Sequence, residues 1–163
     1  MRARVAAAFL FLWASGAPAI EAPAPAAEEL RAIRAFMIRV EGLDEHAMKC
    51  GISTQAVEAS AKSVLQKSKV ILRPSGSPNE KAFLYYNVNV ISLVGGQCFY
   101  SFSLDAQLIG ELKVGTRANL GAYTAWHRGG IRSTYIANAP NTLAYDVEAL
   151  TSAFVAAWSE VNP

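Results

Sequence analysis

The side chains best suited to chemistry are few: two histidines, His46 and His127, and two cysteines, Cys50 and Cys98. His46 follows Asp44 and Glu45 directly, so three potential metal ligands are consecutive. Neighbours in a regular strand or helix do not aim their side chains at one point. A loop would have to fold them around an ion, with His127 as a fourth ligand. A metal site needs several ligands at fixed geometry and an outer shell that orients them. Neither an H-E-x-x-H nor a C-x-x-C spacing is present. The sequence therefore implies no metal, and no motif in it implies another cofactor.

Cys50 has a second kind of chemistry open to it. Lys49 precedes it and a helix start follows at Ser53 or Thr54. Both features favour a thiolate, and His46 or His127 would then act as the base of a nucleophilic cysteine. The competing use is a disulfide between Cys50 and Cys98. It would close a loop of about 49 residues and stabilise the domain by about 4 kcal/mol on a chain-entropy estimate. Two buried free thiols are the third alternative.

The N-terminus bears on that choice. Arg2 and Arg4 precede an uncharged apolar run from Val5 to Ala14, and Ala17-Pro18-Ala19 places small residues where a signal peptidase reads. Ten apolar residues span about 15 Å as helix, roughly half of a hydrocarbon core. The pattern predicts a signal peptide over 1–19, cleaved after Ala19, and a periplasmic or secreted mature chain. In such a compartment the disulfide is the expected state of the two cysteines. No run of eighteen apolar residues follows, so the mature chain is expected to be soluble, with no membrane span. Losing Arg2 and Arg4 from the 15 Lys+Arg balances them against the 13 Asp+Glu. A balanced chain without a basic run lacks the electrostatic footprint of a nucleic-acid binder.

The elements that would position these residues can be read along the chain. Ala22 to Ala27 alternates Ala and Pro, and 20–33 reads as a linker before one domain over 34–163. Phe36 to Val40 is a strand, and Gly42 to Gly51 a polar loop. Val57, Ala61, Val64 and Leu65 form one apolar stripe of a helix ending near Lys67. Val70 to Leu72 is a short strand before a Pro/Gly/Ser turn. Phe83 to Leu93 and Cys98 to Asp105 alternate apolar and polar residues across Gly95-Gly96, as an antiparallel hairpin does. Gln107 to Val114 extends that strand or bends. Leu120 to His127 is a further strand, and Arg128, Gly129-Gly130 and Arg132 read as a hairpin tip before a short strand at 134–137. Leu143, Val147, Leu150, Phe154, Trp158 and Val161 mark a closing helix. The order implies an α+β fold: a two-layer sandwich, largely antiparallel, with two helices on one face of the sheet.

The alternation has a further consequence. Tyr86, Val88 and Val90 oppose Asn87 and Asn89, while Tyr100, Phe102 and Leu104 oppose Ser101 and Ser103. Helices on the apolar side leave Asn87, Asn89, Ser101 and Ser103 as one open polar surface. Tyr85 and Phe99, together with Tyr123 and Trp126, are expected to share or border it. Exposed aromatics beside polar groups are the composition of a binding surface, although the wet side of an antiparallel sheet needs no partner.

Several local patterns resemble a group of small uncharacterised exported bacterial proteins. They are Cys50-Gly51-Ile52 before a helix, Tyr86-Asn87-Val88-Asn89-Val90, Cys98-Phe99-Tyr100-Ser101-Phe102-Ser103-Leu104, Trp126 with Gly129-Gly130, and the helix end from Trp158 to Pro163. The order of elements is also similar, in topology alone, to periplasmic accessory domains of envelope assembly and secretion machines. Neither likeness carries a catalytic motif. The expectation is a non-enzymatic interaction or accessory protein of the bacterial cell envelope, partnered by another envelope protein. A periplasmic small-ligand or inhibitor-type binding protein, or an enzyme with an unrecognised site, are the alternatives.

Overall fold

The structure is a computed structural model that describes residues 28–74, 76, 81–114 and 116–163. The signal peptide expected over 1–19, and the linker as far as residue 27, lie outside the described residues. The elements are β1 (Ala35–Val40), α1 (Glu45–Lys49), α2 (Thr54–Leu65), β2 (Ile71–Arg73), β3 (Ala82–Leu93), β4 (Gln97–Val114), β5 (Arg117–Tyr135) and α3 (Ala139–Val161). They form a two-layer α+β sandwich whose sheet runs β2-β1-β3-β4-β5. β1 is parallel to β2 and β3, whereas the longer β3–β4 and β4–β5 ladders are antiparallel.

Alternation determines which side of the sheet is covered. Along β3, Leu84, Tyr86, Val88 and Val90 are buried while the residues between them keep contact with solvent. Tyr100, Leu104, Ala106 and Leu108 of β4 are buried on the same side. The helices pack there. Phe154 of α3 meets Phe36 of β1 and Trp126 of β5 edge-on, with ring centroids 5.3 and 5.6 Å apart. A fully buried aromatic or aliphatic side chain contributes about 1.5–3 kcal/mol, so facing Leu65, Val57 and Trp158 of the helices toward this layer is decisive.

Three polar contacts pin α3 to that layer. The Tyr86 hydroxyl lies 2.8 Å from Thr151 Oγ1. Tyr100 donates to Asp146 Oδ2 at 2.9 Å. Arg132 of β5 donates from Nε and Nη2 to the two oxygens of the same carboxylate at 2.7 and 2.6 Å. Asp146 is 3% exposed, and a carboxylate so deeply placed needs such partners. At the helix end, Trp158 Nε1 donates to Ile33 O at 2.6 Å and Asn162 Nδ2 to Leu30 O at 2.9 Å. Residues 28–33, read as linker, thus dock on the C-terminus of α3, with Leu30 fully buried.

Several local expectations change. The polar loop after β1 contains α1, a helix of five residues capped by Asp44, whose Oδ1 accepts from Ala47 N at 3.0 Å. Gly129-Gly130 is not a hairpin tip. Both lie inside β5, which runs unbroken for 19 residues, so 120–127 and 134–135 are one strand, whereas Ile136 and Ala137 belong to a short 3-10 helix, Ile136–Asn138. These glycines are there for close approach. A Cβ on Gly129 would stand 2.7 Å from Phe102 O, and one on Gly130 would stand 2.9 Å from the Phe102 ring. The turn at Gly95-Gly96 is real, with φ of +90° and +77°, a region that suits glycine.

Burial raises the pKa of Tyr86 and of Tyr100 well above the ordinary tyrosine range; at Tyr100 the hydrogen bond to Asp146 and its charge add to the effect, whereas at Tyr86 the bond to Thr151 opposes it. The folded state therefore holds these protons more tightly than the unfolded chain. The stability they contribute is complete below about pH 10 and is lost as pH climbs from there. In an alkaline titration, replacing Tyr86 or Tyr100 with Phe should each remove a phenolate step that coincides with unfolding. Phenolate formation at either ring while near-UV circular dichroism is still native would contradict this.

Candidate functional site

The face of the sheet that the described residues leave uncovered is built from cross-strand rows. Arg39, Tyr85, Asp105 and His127 form one row across four strands. Asn87, Ser103 and Gly129 form the next, then Asn89, Ser101 and Ile131. Ile91, Phe99 and Ser133 follow, and Leu93, Gln97 and Tyr135 close the series beside the β3–β4 turn. The face thus grades from ionisable through neutral polar to apolar.

The first row carries its own interactions. His127 Nδ1 lies 2.5 Å from Asp105 Oδ1, with the imidazole exposed and the carboxylate mostly covered. At Tyr85, loss of solvation and then the neighbouring Glu41 carboxylate raise the pKa. The Arg39 guanidinium stands 5.8 Å from the centroid of the Phe83 ring, within cation–π range. In the rows below, Asn89 Nδ2 donates to Asn87 Oδ1 at 2.7 Å. Asn89 is exposed, and Asn87, Ser101 and Ser103 are half-buried. At Gly129 the strand presents no side chain and lies close against Ser103, where an added Cβ would stand 2.9 Å from Ser103 Cβ.

The structure thus brings Asn87, Asn89, Ser101, Ser103, Tyr85 and Phe99 to one face. It does not bring Tyr123 and Trp126 there. Strict alternation would put residues three apart on opposite faces. A register shift between Ala106 and Gln107 pairs Ala106 with Trp126 and Gln107 with Thr124, leaving Ala125 as an extra residue. Tyr123 then pairs with Leu108 and, like Trp126, turns to the helical layer.

The other chemical candidates disperse. Asp44 is occupied as a helix cap, and Glu45 pairs with Lys49 at 3.5 Å. His46 Nδ1 lies 2.8 Å from Ser92 Oγ. Ser92 belongs to the covered side of β3 and His127 to the uncovered side of β5, so the two imidazoles cannot share an ion. Among the described residues no three His, Cys, Asp or Glu are grouped to hold a metal. Cys50 and Cys98 are joined, Cα to Cα at 6.2 Å and both fully buried, which removes the nucleophilic thiol. Arg132, expected at a hairpin tip, is bound to Asp146. An open groove of about 850 Å³ lies between the end of α2 and α3, lined by Lys67, Ser68, Lys69, Glu148, Ser152 and Ser159 among others. It gathers surface lysines and serines, and its buried polar residue, Asn162, is already bonded to Ala32 N, Leu30 O and Trp158 O.

Two features of the face were not foreseen. Asp105 continues the alternation of Ser101 and Ser103 and was legible from it. Its partner His127 was not, because the β4–β5 register depends on the extra residue at Ala125 and on an unbroken strand through Gly129-Gly130. In the apolar end, Ile91 and Leu93 continue the alternation of β3, whereas Ile131 and Tyr135 were hidden by the misplaced break in β5.

A polar contact with one partner this exposed contributes at most about 1 kcal/mol. His127→Ala should therefore lower the stability measured by urea denaturation by less than about 1 kcal/mol. A loss above about 2 kcal/mol would show the pair to be structural rather than available at the surface.

No family model matches the chain, and no curated protein does. Among solved structures it is similar to a minor lipoprotein from Acinetobacter baumannii, at 12% identity and a TM-score of 0.28, over 79% of this chain and 88% of that one.

Proposed function

We propose that this chain is an exported protein of the bacterial cell envelope that acts by binding another protein through the uncovered sheet face, without catalysis. One observation carries the reading. The face joins a neutral polar block, Asn87, Asn89, Ser101 and Ser103, to exposed large apolar side chains at Ile91, Phe99 and Ile131. An apolar patch bordered by hydrogen-bonding groups has the composition of a protein interface. Export is supported by the signal-like segment over 1–19 and by the Cys50–Cys98 disulfide, a bond that persists in oxidising compartments. No helix among the described residues is long and apolar enough to cross a membrane.

Asn89 and Ser103 reach the face without supporting the core. Replacing both with Lys should change stability by roughly 0.5 kcal/mol or less per site. The same double variant should lose the proteins that co-purify with the native chain from the envelope fraction. A folded double variant that retains every such protein would contradict the proposal.

A further inference from the structure

We propose that the apolar end of the uncovered face is a two-fold contact between two copies of this chain. Five large apolar side chains, Ile91, Leu93, Phe99, Ile131 and Tyr135, are each between 40% and 64% exposed and occupy three adjacent rows on three adjacent strands. Together they expose on the order of 500 Å² of largely apolar surface, toward the upper end of what a monomer ordinarily leaves open. With the neutral polar positions between them, the patch approaches the roughly 800 Å² per partner of a stable interface.

The charge pattern selects a second copy as the occupant. In a two-fold contact each patch meets itself, so a charged residue near the axis would face its own kind. The three rows from Asn89 to Leu93 hold no charged residue. The ionisable row of Arg39, Asp105 and His127 lies six residues of β4 away from Phe99, about 20 Å along the strand. An axis through the Phe99 row buries apolar against apolar and keeps both ionisable rows at the periphery. An axis through the centre of the face would instead set the apolar end of one copy on the charged end of the other. The inference rests on the face being a binding surface, but it concerns the apolar end, whereas the co-purification test concerns the polar block.

Sedimentation velocity on the oxidised mature chain tests it. A dimer should dominate at about 100 µM. Phe99→Glu and Ile131→Lys should each raise the dissociation constant at least about ten-fold, while Asn87→Lys, in the polar block, should leave it within about three-fold. Circular dichroism of each variant separates lost association from lost folding. As a second readout that leaves the apolar residues intact, Ser133→Cys, in the Phe99 row, should cross-link two copies on mild oxidation. A chain that stays monomeric at about 100 µM, or a dimer that survives both charge substitutions, would overturn the inference. Either result would leave the binding of other envelope proteins by the polar block to its own test.

Discussion

The twelve residue pairs of the β3–β4 ladder hold a period of two in phase on both strands, and most of the molecule follows from that phase. Slipping the register by one residue would carry Tyr100 and Leu104 to the open side and place Ser101 and Ser103 under the helices. Several large side chains would lose burial worth about 1.5–3 kcal/mol each. The register is also fixed from outside the sheet. The Tyr86 and Tyr100 hydroxyls meet α3 at Thr151 and Asp146, and Cys98 is tied to Cys50 behind α1. All of these anchors stand on the covered side. What holds the helices down is therefore also what leaves the other face open.

β5 extends the same partition by a different device. It cannot keep strict alternation along 19 residues and still turn both Tyr123 and Trp126, which are three apart, to the covered side. The extra residue at Ala125 resolves the conflict and sends both rings to the helical layer. Beyond it, Gly129 and Gly130 let β5 approach Phe102 and Ser103 closely. Arg132 then reaches Asp146 on the covered side, while its neighbour Ile131 remains on the open one. The apolar end of the open face and the buried carboxylate cluster are two sides of one strand segment.

The fold was legible where local chemistry and tertiary demand agree. The stripes of α2 and α3, the alternation of β3 and β4 and the Gly95-Gly96 turn all follow from side-chain periodicity or backbone permissiveness. Paired cysteines in a chain reading as exported gave the disulfide. Gly129-Gly130 misled, because glycine marks a turn and a tight strand approach equally well, and only the neighbouring Phe102 ring distinguishes them. Asp146 was passed over because its partners come from Tyr100 and Arg132, residues that no local pattern connects to it. On the open face, the polar block was readable from one hairpin. His127, Ile131 and Tyr135, which complete its ionisable row and its apolar end, needed the third strand in register, which no local signal supplies.

The side of the β3–β4 hairpin that faces water decides where the helices and the open face lie, and single-cysteine labelling reads that side directly. Asn87→Cys, Val88→Cys, Ser103→Cys and Leu104→Cys, each in the oxidised chain, would be exposed to a water-soluble maleimide under native conditions. Cysteines at 87 and 103 should react rapidly, and those at 88 and 104 should react only as the protein unfolds. The opposite ordering, with 88 or 104 labelled ahead of 87 and 103, would place the helices on the other face and contradict the account.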